Sequence, residues 1–351
     1  MTSLRTIQAL RAVAALLVVL LHCLEAWAMH VDANAFGTAW TNGAAGVDIF
    51  FVISGFIMTV SSRHLAGSML GWWIFLKNRI TRIVPLYWLL TTVKLIVVVV
   101  AGDLALRTHL SSDFILSSYL FLPALDAAGH FRPLLAVGWT LTFEFFFYGL
   151  FAVALALRVD PLRFLLPALL MVATGSLFRS SLLPTWALLA DPIVLEFLFG
   201  IVVGKLVLSG YRLTSRSAAV ALFASFACLL VIEPWTDQFR FLAWGLPAAM
   251  IVFSAISLER EYGHLIPKFV LKLGNASYSL YLSHGFVVAF VSAAAGAMGM
   301  TGSMAQFGST IVAVLGSCIA ARLLYEVVEK PLILAIKKAP HATGDVVMDN
   351  R

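Results

Sequence analysis

A few ionisable residues interrupt long apolar blocks, and their spacing is informative. Arg11 and His22 both lie in the first block. Eleven residues make close to three turns of an α-helix, so the two share one face, roughly 16 Å apart along the axis at about 1.5 Å per residue. A guanidinium at one end of such a face can hold a phosphate while an imidazole at the other acts on the far end of an extended ligand. A pantetheine arm has about that shape. The plainer alternative is that Arg11 snorkels to the membrane surface and His22 is a hydrogen-bonded packing residue.

Two carboxylates reach similar depth. Asp48 opens the second apolar block, in Gly46-Val47-Asp48-Ile49-Phe50-Phe51, and Glu144 follows Gly138-Trp139-Thr140-Leu141-Thr142-Phe143. Glu144 lies roughly 9 Å into its span, at about the level of His22. A histidine with a carboxylate at one depth makes a base and the partner that fixes its tautomer, so His22 with Glu144 or Asp48 is the candidate catalytic set. The alternative is an ion pair that only fixes helix packing, with Lys94 as a partner. Arg79 and Arg82 stand at i, i+3 on one face, where two guanidinium forks suit phosphate; ordinary positive-inside anchoring is the competing account. His284 follows Ser277-Tyr278-Ser279-Leu280-Tyr281-Leu282-Ser283 near mid-bilayer and is a possible additional site residue. Arg322, Glu326 and Glu329 have helical pairing distances and read as structural.

The elements that position these residues are membrane helices. Of 351 residues, 61% are hydrophobic and 12% charged, against roughly 45–50% and about 25% in soluble domains. The surplus comes in blocks of the length that crosses a bilayer. An all-α, polytopic bundle of ten spans is expected, at 8–29, 46–62, 80–101, 138–157, 162–178, 192–208, 217–233, 241–258, 273–295 and 305–328. Phe114–Pro123 is apolar but too short to span. Lysines and arginines concentrate in alternate loops. Placing that set inside leaves only Arg107, Arg132, Arg179 and Arg240 outside, so both termini are expected in the cytoplasm. The formal net charge of +6 is thus a topology signal and does not point to nucleic acid. Residues 1–338 form one membrane domain, and 339–351 a short polar cytoplasmic tail. Cys23, Cys228 and Cys318 are isolated and read as packing residues. No metal-ligand spacing, phosphate loop, internal repeat or cleavable signal segment stands out.

On physics alone, intramembrane charges fit an enzyme or a transporter or flippase equally well, and fit a non-catalytic scaffold poorly. The ordered motifs resemble the acyltransferase 3 family of multi-pass membrane acyltransferases. They are Ile7-Gln8-Ala9-Leu10-Arg11 through His22, Gly46–Phe56, Arg79–Trp88, Val137–Tyr148, Ser277–His284 and Tyr325–Pro331. The Gln8 opening and Val137-Gly138-Trp139-Thr140-Leu141 look most like the exopolysaccharide (succinoglycan-type) acetyltransferase subgroup. The resemblance implies that acyl-CoA, acetyl-CoA in the first instance, enters from the cytoplasm as a co-substrate, with no permanently bound cofactor. Arg11, Arg79 and Arg82 would hold its phosphates, and His22 would act as base, with or without a covalent acyl-histidine. The acceptor would be a hydroxyl of a cell-surface or lipid-linked glycan, reached from the outer face of a bacterial inner membrane. Some members carry a fused extracytoplasmic hydrolase-like domain; none is present in these 351 residues, so transfer is expected to need no second catalytic unit in the chain.

Overall fold

A computed structural model describes residues 4–35, 37, 40–101, 110–126, 128–178 and 184–338. Arg107, Arg179 and the 339–351 tail lie outside that set. Among the described residues the protein is helical, with one isolated bridge between Leu125 and Phe131. In chain order the α-helices are α1 (Arg5–His30), α2 (Ala45–Ser61), α3 (Gly71–Ala101), α4 (Ser112–Tyr119), α5 (Trp139–Ala156), α6 (Pro161–Gly175), α7 (Leu195–Leu208), α8 (Ser215–Val231), α9 (Leu246–Tyr262), α10 (Lys268–Asn275), α11 (Ser277–Ala297), α12 (Gly302–Leu324) and α13 (Lys330–Lys338).

Each of the ten expected spans coincides with a helix. Eight, including those built on α1, α2, α3, α5, α6, α9, α11 and α12, are long and apolar enough to cross a membrane. The other two are shorter: α8 has 17 residues, and α7 has 14 after a 3-10 turn at Pro192–Val194. The short apolar segment expected at Phe114–Pro123 overlaps α4, eight residues long, which is far below the length of a span. The third span differs most from expectation. Its helix starts at Gly71 rather than near residue 80, because Trp72-Trp73-Ile74-Phe75 continues the helix toward the interface. Arg79 and Arg82 therefore sit within the helix and not at its first turn.

Local sequence explains the boundaries. Asp160 caps α6 by accepting from the Leu162 and Arg163 amides, with Pro161 at the first position, where its missing N–H costs nothing. Thr214 caps α8 through the Ser217 amide. Two π-helical turns, Phe241–Gly245 and Tyr325–Glu329, lead into α9 and out of α12. Each accommodates one extra residue per turn and so shifts the face that follows.

Between helices, lipid offers no hydrophobic drive, so packing and close backbone approach hold the bundle together. One close crossing joins α2 to α7 at Gly55 and Gly200. A Cβ on Gly55 would stand 2.2 Å from the Phe197 carbonyl oxygen, and one on Gly200 2.2 Å from that of Val52. Around this crossing an aromatic core links four helices. Phe51 and Phe147 stack on Phe197 at 4.6 and 4.3 Å, and Phe75 on Phe151 at 4.9 Å. Gly200→Val should force α2 and α7 apart and cost about 1–3 kcal/mol. Thermal unfolding in detergent should show a lower midpoint; an unchanged midpoint and yield would mean that the two backbones do not approach this closely.

Candidate active site

A polar cavity has two parts whose shared wall is Arg11 of α1 with Arg79 and Arg82 of α3. Its inner chamber, about 730 Å³, reaches Ser54 of α2, Thr140, Glu144 and Tyr148 of α5, and Tyr278 and Tyr281 of α11. Its mouth, about 940 Å³, lies between Gln8, Asn78, Asn275, Tyr325, Glu329 and Ile333. The first turn of α1 and the start of α13 thus flank one opening.

Helix periodicity aims these groups. Arg79 and Arg82 share a face of α3, and Glu144 and Tyr148, at i, i+4, share one of α5. The Tyr148 hydroxyl donates to Glu144 Oε1, which also accepts from Ser54 Oγ at 2.8 Å. Arg79 Nη2 donates to Ser61 Oγ at 3.1 Å, and its guanidinium lies 5.6 Å over the Phe75 ring. The π turn at Tyr325–Glu329 turns both of its end residues to the mouth, where Ser279 Oγ donates to Glu329 Oε2 at 2.5 Å. The Tyr278 hydroxyl, donating to the Ile83 carbonyl at 2.8 Å, ties α11 to α3 beside the arginines.

Three guanidiniums face two carboxylates, Glu144 and Glu329, so the lining is net positive. Arg79 Nε and Gln8 Oε1 are buried without a hydrogen-bond partner. A buried orphan donor costs about 1–3 kcal/mol. A cavity with excess guanidinium charge and an unused donor has the chemistry to hold an anion with several acceptor oxygens.

His22 is not in this cavity's lining. It sits further along α1, beyond a layer in which Thr140 Oγ1 and the Tyr281 hydroxyl are 3.0 Å apart and Tyr281 also donates to the Val137 carbonyl at 3.1 Å. Its Nδ1 lies 2.8 Å from Nε2 of His284, the two rings being close to parallel at 21°. His284 is fully buried, and its Nδ1 is 3.0 Å from the Leu280 carbonyl. His22 Nε2 has Glu25, one turn on, at 3.8 Å.

The expected carboxylate partner of His22 is not found. Glu144 turns to the arginine chamber. Asp48 is fully buried and gives both oxygens to Arg240, with Nε–Oδ1 3.1 Å and Nη2–Oδ2 2.7 Å. Arg240 also donates to the Ala44 carbonyl at 3.1 Å and stacks 4.8 Å from the Trp244 ring. Counting depth alone sets these carboxylates level with His22, but Glu144 faces the arginines and the bidentate guanidinium ties Asp48 to Arg240. Arg240, counted with the outer loops, is thus a packing charge. The expected trio at the end of α12 divides too: Arg322 pairs with Glu326 at 2.5 Å, while Glu329 turns to Ser279.

The structure therefore assembles Arg11, Arg79, Arg82 and Glu144 at one level and His22 with His284 at another, and leaves Asp48 apart. Sequence reasoning missed Tyr148, readable as the i+4 partner of Glu144, and Ser54, Gln8 and Tyr278, whose contacts cross between helices and leave no local pattern.

Comparison with known proteins finds relatives along most of the chain. The chain is 34% identical over 313 residues to the exopolysaccharide production protein ExoZ of Rhizobium meliloti (strain 1021), covering 86% of this chain and 93% of that one. It is 27% identical over 329 residues to the putative peptidoglycan O-acetyltransferase YrhL of Bacillus subtilis (strain 168), covering 84% of this chain but 51% of that longer protein. Acyltransferase MdmB of Streptomyces mycarofaciens is 26% identical over 370 residues, with 92% of each chain covered. No solved structure matches. A family model described as an acyltransferase domain spans residues 4–322, from the residue before α1 almost to the end of α12. This multi-pass membrane protein therefore belongs to the acyltransferase 3 family.

Proposed function

We propose that the protein is an O-acetyltransferase that takes the acetyl group of acetyl-CoA from the cytoplasm and transfers it to a hydroxyl of a cell-surface or lipid-linked glycan. The observation that carries the donor side is the net-positive chamber walled by Arg11, Arg79 and Arg82. Its charge and the unused Arg79 Nε donor suit the phosphates of CoA. The acceptor side draws on two relatives named for exopolysaccharide production and for peptidoglycan O-acetylation.

In the proposed reaction the pantetheine arm runs along α1, past the Tyr281 layer, and brings the thioester to His22. The imidazole takes the proton of the acceptor hydroxyl as its oxygen attacks the thioester carbonyl. The new C–O bond forms, the C–S bond breaks, and the departing thiolate collects the proton from His22. Each step needs only this histidine and held substrates. Family membership favours transfer over the transporter reading, and appearance of free CoA thiol with purified protein would separate the two.

The proposed orientation puts both termini in the cytoplasm and ten helices across the inner membrane of a bacterium. The basic loops support it, as does the shared opening flanked by Gln8 and Ile333. Reporter fusions after Lys338 and within 110–126 should report opposite sides; the same side for both would reject this topology.

Replacing Arg79 or Arg82 by Ala should weaken acetyl-CoA binding about tenfold each, since one charge-assisted contact is lost. Calorimetry on folded protein is the measurement, and unchanged affinity would return both residues to interfacial anchoring.

His22→Ala should abolish transfer while leaving acetyl-CoA binding intact. His22→Gln, which keeps hydrogen-bonding capacity but takes no proton at neutral pH, should be equally inactive. Near-normal turnover of the Gln variant would reject the base role.

A further inference from the structure

His284 is fully buried and close to His22, and the proposed reaction does not yet use it. Its place in a hydrogen-bond chain determines where the protons sit. The chain ends at the Leu280 carbonyl, 3.0 Å from His284 Nδ1. A carbonyl oxygen only accepts, so His284 Nδ1 must carry a proton. In a neutral imidazole the other nitrogen is then bare, which makes His284 Nε2 an acceptor. The atom facing it at 2.8 Å is His22 Nδ1. Two bare nitrogens at that distance would repel, so His22 Nδ1 carries the proton and donates it. What remains is His22 Nε2, with a lone pair and with Glu25 at 3.8 Å, too far to be a hydrogen-bond partner.

We infer that His284 is a positioning residue: it fixes His22 in the tautomer whose Nε2 is free to take the acceptor's proton. This inference rests on the proposed acyl transfer. It gives His284 the part that a carboxylate plays in a hydrolase triad, with the Leu280 carbonyl as final anchor. The same geometry removes His284 as an alternative base, because each of its ring nitrogens is already engaged. Its position follows from α11 itself, which presents the Leu280 carbonyl one turn before the ring that uses it. When His22 Nε2 accepts a proton, the Glu25 carboxylate is near enough to stabilise the cation, and the hydrogen bond to His284 stays in place. No proton need leave the pair through its buried end.

His284→Leu and His284→Gln test the assignment on full-length protein in lipid nanodiscs. The leucine fills the space but accepts nothing. The glutamine Oε1 can accept the His22 proton. The leucine variant should lose about 100-fold in kcat, with acetyl-CoA affinity within about twofold of the parent because the arginine chamber is untouched. The glutamine variant should recover most of that loss, which a merely structural role for the histidine would not produce. Nitrogen-15 spectra of histidine-labelled parent protein should show His22 protonated at Nδ1 and bare at Nε2. A parent His22 protonated at Nε2 would overturn the inference, as would undiminished kcat in the leucine variant. Should that variant fail to fold, the parent spectrum alone decides. Failure of the underlying reading looks different, since an active His22→Gln variant removes the base itself. An inactive His22→Gln beside a fully active His284→Leu rejects only the orienting role.

Discussion

A guanidinium surrounded by hydrocarbon must find oxygen acceptors, and much of this bundle is arranged around that requirement. Arg240 meets it completely: Asp48 supplies two oxygens, the Ala44 carbonyl a third, and Trp244 covers a face. That cation is a fastener between α2 and the π turn that leads into α9. Arg11, Arg79 and Arg82 meet it incompletely, with two carboxylates among three cations and an Arg79 nitrogen left unpaired. The contrast separates structural charge from charge held in reserve. Both kinds look alike in a hydropathy plot, and what distinguishes them is whether a neighbouring helix has already spent the hydrogen-bonding capacity.

The fold was largely legible because block length is a one-dimensional property. Every expected span has a helix, and the short segment before Pro123 holds only the eight-residue α4. The start of α3 is not legible in block length, because tryptophans such as Trp72 and Trp73 are amphipathic and interrupt an apolar block without ending a helix. Part of the site was legible for a similar reason. The Arg79–Arg82 pair and the shared face of Arg11 and His22 depend only on helical spacing within one segment.

Partners between segments were not legible. Depth along the membrane normal can be counted from sequence, and that count sets His22 and Glu144 level, whereas the structure groups Glu144 with the arginines and His22 with His284 at another level. Rotation about each helix axis cannot be counted that way. It sends Asp48 to Arg240 and Glu144 to Tyr148 and Ser54, and it gives His22 a second histidine. The π turn at Tyr325–Glu329 adds a further shift in face that a uniform helical period cannot anticipate, which is why Glu329 leaves Arg322 and turns to Ser279.

The Gly55–Gly200 crossing has a mechanical consequence. Where two helix backbones touch with no side chain between them, there is no rotamer to yield and no cushion to compress, so α2 and α7 behave as a single beam. Ser54, which holds Glu144, sits on that beam next to Gly55. The opposite walls of the chamber, α3 and α11, meet each other through longer side chains such as Tyr278 reaching to Ile83. Compliance in the bundle is therefore lopsided: one wall is a fixed reference, and any dilation to pass a bulky group must be taken up by the other.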